Sequence, residues 1–284
     1  MLTCGGRPRG RPPLLFGVDD PVSAGTLIRM NAPQAADGEV ILHYERAGSG
    51  APLLLIPGAL GTGLSDFPAQ IGWFGSRGFD VIAPDPRGYG RSRPPERDFP
   101  LNFYHRDAAD MFALMDRLGH TRFSVMGWSD GANVGTIMAA QRPERVEKLV
   151  TFGGQSFLTP EDIATFNTIR RIADWAPKPA AAMRKIYGAG LDALWDRYVA
   201  GQEALFEAGG DLYGLLLGKV RCPVLVLHGA KDPLVPVFQA EAIARGIAGS
   251  QLRVFPAGRH NIHMRQAEEF NLLAFTFLME SRLN

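Results

Sequence analysis

The amino-acid sequence predicts an α/β protein with a mostly parallel, doubly wound sheet and a helical lid inserted into it. Three observations support this fold class. Short apolar runs bounded by glycine and proline alternate with amphipathic stretches, the strand signals vanish between about residues 156 and 218, and the alternation then resumes. Parallel neighbouring strands need crossover connections, which helices supply. With 284 residues, 46% of them apolar, the chain can bury a large core.

The first half of the chain carries five apolar runs that predict strands. The second run is continuous enough to be buried on both faces of a sheet. Residues 101–118 have apolar positions at three- and four-residue spacing, which predicts a helix. A stretch of small residues after Ser129 predicts a helix that packs closely on the sheet. The predicted strands are 39–44, 52–57, 79–83, 123–127 and 146–152.

The second half begins with the region that lacks strand signals. Residues 156–218 contain three amphipathic stretches separated by prolines and glycine-rich turns, which predicts a helical lid. A strand at 224–228, a helix at 237–246, a strand at 251–255 and a last helix from near Gln266 follow. We therefore expect an α/β core in two pieces, 38–155 and 219–284, on either side of the lid.

The N-terminal segment, residues 1–37, is expected to be disordered. Its early arginines and its lack of acidic residues before Asp19 are weakly similar to a mitochondrial transit peptide, but its proline and glycine content disfavours an amphipathic helix. Met30 is an alternative start. The two cysteines, Cys4 and Cys222, are too few for a disulfide framework and favour a reducing compartment. A cytoplasmic protein is expected, with a mitochondrial location as the alternative.

Charge and hydropathy narrow the range of partners. The 30 basic and 29 acidic residues are interspersed, so the chain lacks the basic stripe that nucleic acid binding requires. No stretch approaches the ~20 apolar residues of a membrane helix. We expect a soluble monomer that binds a small molecule, without nucleic acid, membrane or cofactor.

The segment Gly127-Trp128-Ser129-Asp130-Gly131 matches the GxSxG pattern of a nucleophile elbow. Alone, such a match can equally mark a glycine-rich turn. Here it lies between a predicted strand and a predicted helix, as the elbow of the α/β-hydrolase fold requires. The sequence therefore predicts an α/β-hydrolase with Ser129 as nucleophile.

A serine needs a base to take its proton and a third group to orient that base. In the α/β-hydrolase fold these follow in the order serine, acid, histidine. Asp232 follows the predicted strand 224–228, and His260 follows the strand 251–255. Singly, Asp232 could begin a turn and His260 could be a loop histidine. Their order and their places at strand ends together predict the triad Ser129, Asp232 and His260.

An oxyanion hole is expected from two backbone N–H groups. One is that of Asp130, directly after the nucleophile, and the other comes from the loop PGALGTG after the second strand. Ala59 is the first choice for the second donor and Leu60 the alternative. The loop could also be a tight turn that simply requires glycine.

Other polar residues are assigned structural roles. His260 and His263 could suggest a metal pair, but no third ligand has a recognisable spacing, so no metal is expected. His228 is interpreted as a buried, hydrogen-bonded histidine. The residues Asp85, Arg87 and Asp98 are interpreted as loop ties, with Arg87 close enough to a strand end to reach the pocket.

Five segments together resemble one family of serine hydrolases, the biphenyl hydrolase-like or valacyclovir hydrolase family. They are PGALGTGLSDF, DPRGYGRSRPPERDFP, GWSDG, HGAKDPLVP and GRHNIH. The resemblance implies hydrolysis of α-amino acid esters, with Asp130 anchoring the substrate's α-ammonium group. Ala132 departs from the family, which carries glycine there. Without the resemblance, Asp130 could merely complement the positive end of the following helix.

The leading functional hypothesis is an acyl-enzyme hydrolysis of small α-amino acid esters. The alternatives are a carbon–carbon bond, lactone or thioester hydrolase of aromatic catabolism with the same triad, and a ligand-binding protein on a hydrolase scaffold. The lid contributes four aromatic residues that could line a pocket or simply form core. These are Phe157, Trp175, Tyr187 and Trp195.

Overall fold

A single eight-stranded sheet organises the part of the chain that the computed structural model describes, residues 23–31 and 39–280. The strand order is β1-β2-β4-β3-β5-β6-β7-β8. β1 and β2 run antiparallel to their neighbours, and the pairs from β4 through β8 are parallel. The strands are β1 Ser23–Asn31, β2 Glu39–Ala47, β3 Ala51–Ile56, β4 Phe79–Pro84, β5 Phe123–Trp128, β6 Val146–Phe152, β7 Val224–Gly229 and β8 Gln251–Phe255.

Helices cover both faces of this sheet, because successive residues of a buried strand point in opposite directions. Leu54 of β3 contributes to one hydrophobic cluster, with α3, α4 and α8, and its neighbour Leu53 contributes to another, with α2 and α10. The helices of the core are α1 Gly63–Asp66, α2 Ile71–Gly75, α3 Phe103–Arg117, α4 Asp130–Gln141, α8 Val237–Gly246, α9 Ile262–Arg265 and α10 Ala267–Met279.

The lid lies between β6 and β7. Thr159 and Asp162 form a reciprocal capping box that starts its first helix, with Pro160 at the first helical position. Its helices are α5 Pro160–Thr168, α6 Pro177–Tyr187 and α7 Leu191–Glu207, with short 3-10 helices at Ile172–Asp174, Gly188–Gly190 and Gly214–Lys219. The predicted fold class, a mostly parallel sheet with a helical lid, is confirmed.

β1 departs from the sequence prediction. Disorder was expected throughout residues 1–37, yet Ser23–Asn31 forms a strand that pairs with β2, from Ser23↔Arg46 to Asn31↔Glu39. β1 forms its hydrogen bonds with the edge of β2. The composition of the N-terminal segment does not indicate that this edge is available, so the strand could not be predicted from it. Residues 1–22 and 32–38, including Cys4, lie outside the described residues. None of the described helices is long and apolar enough to cross a membrane.

Candidate active site

Ser129 is the single residue between the end of β5 and the start of α4. Its backbone has φ 56° and ψ −119°, and residues other than glycine rarely adopt such a positive φ. The flanking glycines make this turn possible. A Cβ on Gly127 would lie 2.1 Å from the carbonyl oxygen of Gly131, and a Cβ on Gly131 would lie 1.9 Å from that of Ile56. The elbow therefore presses directly against the backbone of β3.

The three residues predicted as a triad form one hydrogen-bonded chain. His260 Nε2 lies 3.1 Å from Ser129 Oγ, and His260 Nδ1 lies 2.7 Å from Asp232 Oδ2. The other carboxylate oxygen of Asp232 accepts the N–H groups of Leu234 and Val235 at 2.8 and 3.0 Å. Burial acts to raise the pKa of Asp232, but the hydrogen bond from His260 and these N–H groups outweigh it and hold the pKa below its ordinary value.

Trp128 fastens the His260 loop to the elbow. Its indole Nε1 donates a hydrogen bond to the carbonyl oxygen of His260 at 2.9 Å, and the two rings lie 5.3 Å apart. Gly153 leaves room for the imidazole of His260, because a Cβ at position 153 would lie 3.2 Å from that ring. Trp128 occupies one of the two variable positions of the GxSxG pattern, so the pattern gave no indication of this contact.

Two backbone N–H groups at the cavity of the nucleophile lack a hydrogen-bond acceptor among the described residues. They belong to Ala59 and Asp130, which line the same cavity as Ser129. The preceding residue is different, because the Gly58 N–H donates to Asp66 Oδ2 at 3.0 Å. The N–H of Asp130 also lies at the start of α4, where the helix dipole is positive. This arrangement can stabilise a developing oxyanion.

Leu60, the alternative second donor, is oriented elsewhere. It does not line the cavity, and its side chain is 1% exposed. Ala59 is the better candidate.

Asp130 also presents a carboxyl group to the cavity. Its Oδ1 accepts the hydroxyl groups of Tyr104 and Tyr198 at 2.7 and 3.0 Å, and its Oδ2 has no hydrogen-bond partner among the described residues. Burial raises the pKa of Asp130 to about 6, although the two hydroxyls and Arg97 act to lower it. Arg97 itself forms a buried ion pair with Asp107. The carboxylate can thus accept one further charged donor.

The cavity has a volume of about 440 Å³ and lies between the sheet and the lid. Of the four lid aromatics, Trp175 and Trp195 line it, whereas Phe157 and Tyr187 do not. Trp195 stacks on Tyr198, with ring centroids 4.9 Å apart. The remaining lid and loop residues of the lining are mostly apolar and include Phe166, Ile169, Ala176, Pro179, Pro233, Leu234 and Val235.

Tyr104 and Tyr198 were not singled out from the sequence. Tyr104 belongs to α3 and Tyr198 to α7 of the lid, 68 residues from Asp130 along the chain. Each occupies a position with the helical spacing of a core residue. The neighbouring sequence therefore gives no indication that its hydroxyl forms a hydrogen bond with a carboxylate. Only the docking of the lid on the sheet brings the two hydroxyls to one carboxylate.

His263 and His228, the two other histidines considered in the sequence analysis, are buried and hydrogen-bonded to the backbone. His263 Nε2 contacts the carbonyl oxygen of Asp66 at 2.8 Å, and burial lowers the pKa of His263 to about 3. His228 Nε2 contacts the carbonyl oxygen of Val235 at 2.8 Å, and burial likewise lowers its pKa. Within residues 23–31 and 39–280, no three histidine, cysteine, aspartate or glutamate residues are placed to hold a metal ion.

The predicted loop ties make polar contacts away from the nucleophile. Arg87 pairs with Asp110 of α3 at 2.6 Å and does not line the cavity. Asp98 pairs with Arg106. Asp85 accepts the N–H of Gly63 at the start of α1 and the N–H of Arg91 in the loop after β4.

Comparison with known proteins identifies the family of the chain. Residues 51–200 match the family model of the alpha/beta hydrolase fold. The chain is 39% identical to human serine hydrolase BPHL, over 95% of this chain and 91% of the relative, and 40% identical to mouse serine hydrolase BPHL, over 91% and 90%. It also resembles the solved structure of a thermophilic esterase from Thermogutta terrifontis, with 25% identity, a TM-score of 0.72 and coverage of 90% and 98%.

These relatives confirm the resemblance that the five sequence segments indicated. They also set aside the alternative of a ligand-binding protein without enzymatic activity. The chain belongs to the α/β-hydrolase family and is a serine hydrolase.

Proposed function

We propose that the protein hydrolyses small esters of α-amino acids, with Ser129 as nucleophile. The observation that carries this proposal is the position of Asp130. Its carboxylate lies beside the nucleophile in a largely apolar cavity and keeps one oxygen without a hydrogen-bond partner among the described residues. An ammonium group on the α-carbon of a substrate lies close to the attacked carbonyl, so one carboxylate next to Ser129 can reach it.

The reaction begins with attack of Ser129 Oγ on the ester carbonyl carbon. His260 Nε2 takes the hydroxyl proton, and Asp232 holds the imidazole in the required tautomer and stabilises the imidazolium. The N–H groups of Ala59 and Asp130 receive the oxyanion. The imidazolium then protonates the departing alkoxide, which leaves as the alcohol and yields an acyl-enzyme. A water molecule, deprotonated by His260, releases the amino acid and regenerates the hydroxyl of Ser129.

Asp130 supplies specificity through charge. A hydrogen bond between ammonium and carboxylate is worth about 1.5–3 kcal/mol, and the apolar lining strengthens it by excluding water. The hydroxyls of Tyr104 and Tyr198 both donate to Oδ1, which fixes the carboxylate plane and leaves Oδ2 for the ligand. Asp130 is also the first residue of α4, where its charge complements the helix dipole, and this effect amounts to only ~0.3–1 kcal/mol.

The test compares a valyl ester with the 3-methylbutanoyl ester of the same alcohol, which lacks only the amino group. We expect the wild-type kcat/KM to favour the valyl ester by about 10- to 150-fold, which corresponds to the energy of one charge-assisted hydrogen bond. Asp130→Asn keeps the shape of the side chain and the backbone N–H but removes the charge. This variant should lose the preference while it retains its rate on the deaminated ester.

Ser129→Ala provides the background rate for both esters. Equal turnover of the two esters by the wild-type protein, or a preference that survives in Asp130→Asn, would contradict the amino-acyl hypothesis. Asp130 would then be structural, and the alternative of a carbon–carbon bond, lactone or thioester hydrolase would become the stronger one.

A further inference from the structure

One hydroxyl group of the lid forms a hydrogen bond with the loop that carries Ala59. Tyr187 is the last residue of α6, and its Oη donates a hydrogen bond to the carbonyl oxygen of Leu60 at 2.7 Å. Tyr187 Oη also accepts the N–H of Gly90 at 3.2 Å. The ring is buried, and burial raises the pKa of Tyr187 well above its ordinary value, so the hydroxyl remains a donor at all working pH values.

Leu60 has a backbone conformation that needs such support. Its φ is 62°, and within the described residues only Ser129 shares a positive φ among residues other than glycine. Such a conformation is strained for a residue with a Cβ, and it persists where its surroundings over-determine it. The Leu60 side chain belongs to a hydrophobic cluster formed mainly by the lid. The other buried members are Tyr89, Ile172, Tyr187, Leu191, Leu194, Trp195, Tyr198 and Val199.

The conformation of Leu60 affects its neighbour directly. The peptide group between Ala59 and Leu60 is planar, so a change in φ of Leu60 rotates that plane and the chain before it. The N–H of Ala59 is the proposed second donor of the oxyanion hole. Both contacts that hold Leu60, the hydroxyl on its carbonyl and the cluster around its side chain, depend on the docked lid.

We propose that Tyr187 is a positioning residue that couples the lid to the oxyanion hole. With the lid docked, the Tyr187 hydroxyl holds Leu60 in its left-handed conformation, and the Ala59 N–H points at the reacting carbonyl oxygen. When the lid lifts, Leu60 relaxes and the hole loses its second donor. This inference rests on the proposed role of Ala59, but it is independent of the ammonium-binding role of Asp130.

The test is Tyr187→Phe, which removes one oxygen atom and leaves the ring in the hydrophobic cluster. The substrate is p-nitrophenyl acetate, a neutral activated ester without an amino group. We expect kcat to fall about tenfold, less than the 10²–10³ that complete loss of an oxyanion donor costs, because the Ala59 N–H is misplaced rather than absent. KM should stay within about twofold, because the hydroxyl does not line the cavity.

A second readout is the affinity for an alkyl trifluoromethyl ketone, which forms a tetrahedral adduct with the active serine. Its affinity should fall by the same factor as kcat, whereas binding of the matching secondary alcohol, which forms no adduct, should stay unchanged. Tyr44→Phe is the matched control. Tyr44 is a buried tyrosine of β2 in a different hydrophobic cluster, and its variant should keep the wild-type kcat.

The outcomes separate the two proposals. Parallel losses of kcat and ketone affinity in Tyr187→Phe support the coupling, whatever the preference between amino and deaminated esters proves to be. An unchanged kcat, a loss confined to KM, or a fall in kcat without a fall in ketone affinity overturns it. A wild-type protein without preference for the valyl ester would overturn only the proposed substrate class.

Discussion

At the scale of single residues, the charge of Asp130 decides which substrates the proposed site can hold. Burial raises the pKa of Asp130 to about 6, so the group is mostly ionised at neutral pH and becomes neutral as the pH falls. A neutral carboxyl cannot form an ion pair. The α-ammonium group of the substrate sets an opposite limit, because an α-amino group ordinarily loses its proton near pH ~7.7–8.0.

The preference for amino esters should therefore have a maximum in pH. We expect the ratio of kcat/KM for the valyl and 3-methylbutanoyl esters to decline below about pH 6 and again above about pH 8. Any pH effect on the chemical steps that the two esters share cancels in the ratio. A pH series of the ratio from 5 to 9 checks this. A ratio that is constant across that range would contradict the ion pair.

Some residues of the site could be predicted from the sequence and others could not. Ser129, Asp232 and His260 each follow a predicted strand, and parallel strands place their carboxyl ends at one edge, so local patterns sufficed to bring them together. Tyr198 and Tyr187 have no such signal. Their hydroxyls gain partners only through the docking of the lid on the sheet, and helical spacing alone does not distinguish them from core residues.

At the scale of elements, the elbow depends on the close approach of α4 to β3. Gly131→Ala would place a Cβ 1.9 Å from the carbonyl oxygen of Ile56, which belongs to a central strand and cannot move aside. We expect the free energy of unfolding to fall by about 3 kcal/mol. Urea denaturation of the purified variant measures this change.

Gly72→Ala is the matched control for that substitution. Gly72 belongs to α2, has no positive φ and has no atom within 4 Å of an added Cβ. Alanine should be neutral there or stabilise the helix by up to ~1 kcal/mol. If Gly131→Ala were as stable as Gly72→Ala, the close approach of the elbow to β3 would not be a constraint.

Elements differ in how far sequence predicts them. The parallel strands β3 to β7 are buried on most of their length and appear as continuous apolar runs, so they were predicted to within one or two residues. β1 was not predicted, because the residues around β1 resemble a disordered tail in composition and the strand forms only by pairing with β2, a separate segment. The helices of the lid were recognisable, but their docking positions were not.

At the scale of the whole molecule, buried ion pairs tie the long loop after β4 to α3, beneath the cavity. Arg97 is 2% exposed and contacts both carboxylate oxygens of Asp107, at 2.7 and 2.6 Å. A second pair joins Arg87 and Asp110. Removal of one partner leaves an uncompensated buried charge, which is far more costly than loss of an exposed pair.

We expect Asp107→Asn to lower the free energy of unfolding by about 3 kcal/mol, because the Arg97 guanidinium stays buried without a counter-charge. Thermal and urea unfolding measure the change. The exposed pair between Arg245 and Glu241 is the control, and Glu241→Gln should alter stability by less than ~0.5 kcal/mol. Equal effects of the two substitutions would show that the pair of Arg97 and Asp107 does not hold the loop.

The hydrogen bond between Ser129 and His260 joins residues that are 131 positions apart in the chain. A ribosome adding about 5–20 residues per second needs about 7 to 26 s to pass from one to the other. During synthesis the nucleophile is therefore made long before its base, and a nascent chain that already folds its early strands cannot yet attack an ester. Hydrolytic activity emerges only after His260 has been synthesised, so any truncation before His260 yields a silent product rather than an unregulated enzyme.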